Sequence, residues 1–315
     1  MPINLAFLGC GFATRLHSKT LKNFKQEVNC FYASRDRHKA IALNNEFNGG
    51  GFFDSYEAAI NDAKIGVVLV ATPPASHLEL TLQALRAGKN VIVEKPPFLH
   101  AADFEMIRRT QNETGRRVFV AENYFYKPLA VKLRELIKTE AIGEILFVLI
   151  NAIKLQKTGN WRDEAKLSGG GALFEGGIHW INFIANLGLP VKSVRGLRPG
   201  KHDGVEKSML VAIEYESGAV GTLSYSWEVP VLLKGVQLSQ IYGRKGVITF
   251  ESNGIFILVN GAGKKLIFPG LADIAGYKEM FRDFLRALRT GEEPQMSLEV
   301  AQRDLQLIET IYRTV

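Results

Sequence analysis

Short apolar runs alternate with amphipathic stretches over the first 122 residues. Residues 3–8, 28–33, 66–71, 90–93 and 118–121 are nearly continuous in apolar side chains, which predicts strands buried on both faces. Between them, 12–25, 37–47, 77–87 and 101–114 carry helical periodicity, and Gly88 stands where a helix end favours glycine. Such strands alternating with helices predict a parallel sheet with helices on both faces.

After Pro128 the rhythm changes. A helix is expected over 128–138, followed by segments that alternate with period two. In 219–227 one face carries Ala219, Gly221, Leu223, Tyr225 and Trp227; the other carries Val220, Thr222, Ser224 and Ser226. Residues 205–215, 237–242, 247–250 and 255–259 are further expected strands, several separated by glycine-containing turns, as in an antiparallel sheet. Helices are expected over 273–289 and 297–312. The fold class is therefore α/β, with a parallel-sheet domain over 1–122 and an α+β domain with a large, mostly antiparallel sheet over 123–315. Packing of the last helix back onto the first domain is left open.

Composition narrows the class. The chain has 315 residues, 46% hydrophobic and 23% charged, which excludes a disordered chain and supplies a core for each domain. No apolar run reaches the ~18–20 residues of a membrane helix. The net charge of +7 is spread over the two halves, at 15 basic against 12 acidic residues in 1–122 and 24 against 20 in 123–315. No basic block is present, so the charge favours anionic small molecules over nucleic acid. Two cysteines, Cys10 and Cys30, give no disulfide framework, and no Cys/His cluster has zinc spacing. The apolar start lacks a basic n-region and is broken at Gly9 and Gly11, unlike a signal peptide, so the cytoplasm is the expected compartment.

Gly9-Cys10-Gly11-Phe12-Ala13-Thr14 follows the first strand and opens the first helix. That context matches a dinucleotide-binding loop: the first glycine permits the turn, the second admits a pyrophosphate, and the helix N-terminus stabilises its charge. Thr14 stands at the third glycine position, and a plain strand-end turn is the alternative. At the tip of the second strand, Ser34 and Arg35 stand where NAD sites usually place an acid, which is displaced to Asp36. A guanidinium and a hydroxyl favour the 2′-phosphate of NADP(H), with NAD(H) the alternative. Arg35-Asp36-Arg37 as a solvated helix start is the bland reading.

Three further segments carry a resemblance: Ala71-Thr72-Pro73-Pro74 with His77; Ala87 through Glu94-Lys95-Pro96; and Gly169-Gly170-Gly171 through Glu175, Gly177 and His179. Together with the loop they resemble the Gfo/Idh/MocA family of NAD(P)-dependent oxidoreductases over nearly the whole chain. The resemblance implies a Rossmann domain, an open-sheet substrate domain, and hydride transfer between the nicotinamide and a carbon of a sugar-like alcohol. It places the family's lysine on Lys95 and its histidine on His179. The family Asp falls on Glu175, and a second frequent Asp falls on Asn182. Thr72, Pro73, His77, Glu94 and Lys95 join Gly9, Cys10, Gly11, Phe12, Ala13, Ser34 and Arg35 on the cofactor side.

The residue types suit these roles chemically. Lys95 ends an apolar strand, where open α/β sheets bind ligands, and a cation there can stabilise alkoxide character. Pairing with Glu94 is the alternative. Glu175, His179 and Asn182 are spaced i, i+4, i+7 and share a face if helical. An imidazole can exchange the alcohol proton, with Glu175 expected to orient it and the preceding glycines to admit the cofactor. A satisfied buried histidine is the alternative. Tyr124, Lys154, Lys157, Trp161, Arg162 and Asn182 are candidate substrate contacts, with ordinary packing equally open for each. His17 and His77 are not expected in catalysis, and no metal is expected. The expected molecule is an oxidoreductase of a small sugar-like substrate, a homodimer or homotetramer through the C-terminal sheet, without nucleic-acid or membrane partners. A non-catalytic NAD(P)-binding sensor on the same scaffold is the rival, because Glu175 and Asn182 depart from the family pattern.

Overall fold

The structure is a computed structural model that describes residues 2–159, 162, 164–200, 204–231 and 236–315. It divides into two compact units, Met1–Ala121 with Met280–Gln302, and Glu122–Glu279 with Arg303–Val315.

In the first unit the apolar runs become β1 (Ile3–Leu8), β2 (Val28–Ala33), β3 (Gly51–Phe53), β4 (Val67–Val70), β5 (Asn90–Glu94) and β6 (Val118–Ala121). They form one parallel sheet in the order β3-β2-β1-β4-β5-β6. The order reverses beside β1, and ligands of such sheets sit at the carboxyl ends of the strands there. Helices α1 (Phe12–Leu21), α2 (Arg37–Phe47), α3 (Tyr56–Asn61), α4 (His77–Arg86) and α5 (Asp103–Thr114) connect the strands. Asp36 caps α2 by accepting from the His38 and Lys39 amides, and Ser55 caps α3. Neither β3 nor α3 is among the expected elements. β3 is a three-residue edge strand whose residues are all half-buried, so it lacks the apolar run that marks the central strands.

Residues 280–302 complete this unit. Phe284 packs on Phe119 at 5.2 Å, Phe281 meets His17 edge-on at 5.3 Å, and Arg117 donates to the Ala287 carbonyl at 2.8 Å.

The second unit continues with α6 (Pro128–Lys138), β7 (Ile145–Ile153), α7 (Ala165–Ser168), α8 (Ile178–Ala185), β8 (Val191–Leu197), β9 (Ser208–Tyr215), β10 (Val220–Ser226), β11 (Leu238–Gly243), β12 (Gly246–Glu251), β13 (Ile257–Asn260) and β14 (Lys264–Ile267). Helices α9 (Tyr277–Thr290) and α10 (Leu298–Tyr312) close the order. The sheet runs β14-β13-β12-β11-β7-β10-β9-β8, antiparallel except for the central β7–β10 pair. Strands β7, β8 and β14 extend the expected set. One face buries Val148, Ile150, Leu223, Ile241 and Phe250, and α8 covers it through Phe183. The other leaves Phe147, Leu149, Val220 and Leu238 exposed, as the two-residue period of the strands requires. Among the described residues no helix is long and apolar enough to cross a membrane.

Candidate active site

In the first unit the loop from Gly9 to Ala13 joins β1 to α1. Gly9 has φ +111°, and a Cβ there would meet the Ala71 carbonyl oxygen at 2.7 Å, so the turn requires glycine. A Cβ at Gly11 would meet nothing within 4 Å, and α1 has no side-chain cap. Open space before uncapped helix amides fits a pyrophosphate. Thr14 substitutes for the third glycine by turning inward, where its buried hydroxyl donates to the Gly9 carbonyl at 2.7 Å. Ala13 is half-buried, whereas the Phe12 ring is 78% exposed. Cys10 directs its sulfur at the Ala33 carbonyl, and burial pushes the thiol up to about 11, so it stays protonated.

At the β2 tip, buried Ser34 accepts from the Asp36 amide at 3.1 Å, and the Asp36 carboxylate is occupied in capping α2. Arg35 is exposed, and its positive charge acts on the Tyr56 phenol. Arg37 lies 5.5 Å from the Phe52 ring and 3.7 Å from Asp54. The tip therefore presents guanidinium groups, with its nearest acid turned to the helix.

After β4, Thr72 and Pro73 are half-buried, and Ser76 donates to both the Thr72 hydroxyl and the Pro73 carbonyl. One cofactor-side expectation needs correction. His77 is fully buried, with Nδ1 at 2.9 Å from the Pro96 carbonyl and Nε2 at 2.7 Å from that of Thr72. It ties the loop after β4 to the loop after β5, and its ring is closed to a ligand. Glu94 is half-buried: one oxygen contacts His17 Nε2, and the other accepts from the Lys95 amide at 3.0 Å. The half-buried Lys95 follows, joined to Pro96 by a cis peptide bond.

In the second unit a π-helical turn, Leu173–Gly177, leads directly into α8. His179 lies in the first turn of α8. Its Nδ1 is 2.6 Å from Glu122 Oε1, and its ring stacks on Tyr124 with centroids 4.4 Å apart and planes 15° from parallel. Glu122 is buried, and the same oxygen caps the 3₁₀ turn Asn123–Tyr126 by accepting from the Tyr124 amide at 2.9 Å. Lys127 Nζ sits 4.3 Å from the Tyr124 ring centroid. Burial lowers Lys127 to about 8, against the pull of Glu251 and Glu122, and burial raises the Tyr124 phenol.

The carboxylate on His179 is thus Glu122, which corrects the expectation that Glu175 orients the ring. Glu175 lies inside the π turn, whose wider winding takes it off the α-helical i, i+4 register, and it pairs with Arg162 at 3.2 Å. Arg162 is thereby partnered by a carboxylate of its own chain. The glycine-rich run also serves a different purpose. A Cβ on Gly171 would lie 1.4 Å from Glu206 Oε2, so its close approach is to Glu206. Glu206 accepts from the Leu173 amide and from the Tyr312 hydroxyl, each at 2.8 Å, and burial raises its pKa. Tyr312 in turn accepts from the amides of Gly171 and Phe174.

Asn182 is another correction. It is fully buried, and its amide donates to Asp304 at 2.6 Å, so it faces the C-terminal segment and is closed to substrate. Burial pushes Asp304 up to about 6, against the pull of Arg303. Lys154 and Lys157 are exposed beyond the end of β7. Trp161 lies outside the described residues. Among the described residues no three His, Cys, Asp or Glu side chains are grouped to hold a metal ion.

Comparison with known proteins decides the family. Residues 3–122 match the oxidoreductase family with an NAD-binding Rossmann fold, and residues 130–249 match the GFO/IDH/MocA C-terminal domain. The chain belongs to the Gfo/Idh/MocA oxidoreductase family. It is 28% identical over 202 residues to oxidoreductase P35 of Formosa agariphila, covering 61% of this chain and 63% of that protein. It is 27% identical to trans-1,2-dihydrobenzene-1,2-diol dehydrogenase of Xenopus tropicalis, over 75% of this chain and 72% of that one. A D-xylose 1-dehydrogenase (NADP(+)) of Haloferax volcanii is 24% identical, over 90% and 88%. Among solved structures, levoglucosan dehydrogenase in complex with NADH superposes with a TM-score of 0.89 at 20% identity, covering 100% of this chain and 97% of that one.

Within this Gfo/Idh/MocA chain, sequence reasoning missed Glu122, Lys127, Tyr56 and Glu206. The signal for Glu122 was available. It directly follows the apolar run Val118–Ala121, the same strand-end position that singled out Lys95. Nothing in the local pattern marks Lys127, which reads as a surface cation before a helix.

Proposed function

We propose that this protein is an NADP-preferring dehydrogenase that oxidises a CH–OH carbon of a sugar or sugar derivative, or reduces the corresponding carbonyl. The observation that carries this reading is the buried Glu122–His179 pair. A carboxylate at Nδ1 makes that nitrogen the hydrogen donor and leaves Nε2 to exchange a proton with substrate. The bound nicotinamide would supply hydride acceptance. His179 takes the hydroxyl proton, Glu122 stabilises the resulting imidazolium, and Lys95 stabilises negative charge on the substrate oxygen. Relatives named as diol and D-xylose dehydrogenases support a polyhydroxylated substrate. The guanidinium-lined β2 tip supports NADP, since Asp36 is occupied in capping α2.

The test is nicotinamide absorbance with a panel of sugars, sugar acids and polyols. H179A, E122Q and K95M each lower kcat at least ~100-fold in a folded protein. Turnover at the wild-type rate in H179A overturns the assignment. NADP binds tighter than NAD, and R35A removes the difference; equal affinities in the wild type overturn the cofactor preference.

We also propose association through the second unit's exposed sheet face. An open groove of about 470 Å³ there is lined by Phe147, Leu149, Ile213 and Val220, with Arg195 and Glu214 at its polar part. Light scattering should give a dimer or tetramer that L149E disperses; a wild-type monomer overturns this proposal.

A further inference from the structure

Lys127 is 3% exposed. A cation so deeply placed is costly, and an apolar side chain would fill the space without the penalty. Its close contact is the Tyr124 ring, 4.3 Å from Nζ to centroid. That ring also stacks on His179. Charged groups surround the cluster from each element that meets it. Glu122 lies on the turn before α6, and His179 on α8. Glu251 ends β12, fixed by amides of Asn253, Gly254 and Ile255. Asp304 lies on the C-terminal segment and is coupled electrostatically to Glu122. Glu122 Oε2 is buried and, among the described residues, has no hydrogen-bond partner.

We propose that Lys127 is a positioning residue for the acid–base pair: its ammonium pins the Tyr124 ring, and the ring fixes the His179 imidazole. The cation–π contact gives Tyr124 one orientation, and stacking passes that orientation to His179. An ammonium replaced by a neutral chain frees the ring. This inference deepens the acid–base reading of His179.

The test compares K127M, K127R and wild type by NMR of ¹³C,¹⁵N-labelled histidine, with H179Q assigning the signal. The measurement needs no substrate. In K127M the His179 resonances shift and broaden as the ring loses its single orientation. In K127R, which keeps the cation, position and width return toward wild type. With an identified substrate, K127M lowers kcat about tenfold and leaves cofactor affinity unchanged. A His179 spectrum in folded K127M that matches wild type overturns the proposal, as does a K127R spectrum displaced as far as that of K127M. Full activity in H179A would overturn the acid–base reading alone, since the NMR coupling between positions 127 and 179 is read independently of turnover.

Discussion

Replacing Lys127 by methionine should make the protein more stable. Burial moves the Lys127 ammonium from an ordinary 10.5 to about 8, attraction from Glu251 and Glu122 included. At ~1.4 kcal/mol per unit, holding the charged form in the fold costs about 3 kcal/mol. The ammonium's contact with the Tyr124 ring returns about 1–2 kcal/mol of that. Methionine fills the same volume without the charge, so K127M should gain about 1–2 kcal/mol at pH 7, or a few degrees (~3–6 °C) in Tm. The pH dependence fixes the cause. Below about pH 8 lysine is charged in both folded and unfolded chains, and the full penalty applies. From about 8 to 10.5 the unfolded chain holds a proton that the folded one has shed, so wild-type stability rises relative to K127M. By 10.5 wild type has regained the full ~3 kcal/mol, which closes the gap and reverses the order. Calorimetric melts of both proteins at pH 7, 9 and 10.5 read this directly. A K127M midpoint at or below wild type at pH 7, or a gap that widens toward alkaline pH, refutes the reasoning.

Asp304 carries the opposite sign: burial raises it from 3.8 to about 6, so wild-type stability falls as pH rises through that interval. D304N, which keeps an oxygen for the Asn182 amide, should exceed wild type by about 1–2 kcal/mol at pH 8 and match it near pH 4 in urea unfolding. G171A forces a methyl group into the Glu206 carboxylate and should lower stability by about 2–3 kcal/mol, whereas G11A, with nothing within 4 Å, should melt like wild type. T14V removes the hydroxyl that holds the Gly9 carbonyl; about 1 kcal/mol of stability and several-fold of NADP affinity should be lost, read by melting and by fluorescence titration.

How much was legible beforehand depends on which physical signal each residue carried. The parallel strands were, because burial on both faces writes a continuous apolar run. The edge strand β3, half-buried throughout, writes none. Lys95 and His179 stood out by position and motif, and the loop from Gly9 to Ala13 by its place between strand and helix. The partner of His179 did not, because the i, i+4, i+7 spacing implies one α-helical register from Glu175 to Asn182. The π turn breaks that register, and Glu122 reaches the imidazole from a segment 57 residues earlier in the chain. The exchange of Asp for Asn at 182 reads as a lost charge in sequence. In the fold Asn182 meets a carboxylate from Asp304, 122 residues away, a pairing that no local pattern could announce.

The C-terminal segment's bonds to the π turn have a consequence for the order in which the protein can be made. Tyr312 accepts from the Gly171 amide across 141 residues of chain, and Arg117 waits for Ala287 across 170. A ribosome delivers the phosphate loop first and the anchors of both units last. Neither unit can close until residues 280–315 have been made, so each half persists with its apolar surface incompletely covered until those helices emerge. The two units therefore close together rather than in turn, an order that a simple one-domain-after-another arrangement would not impose.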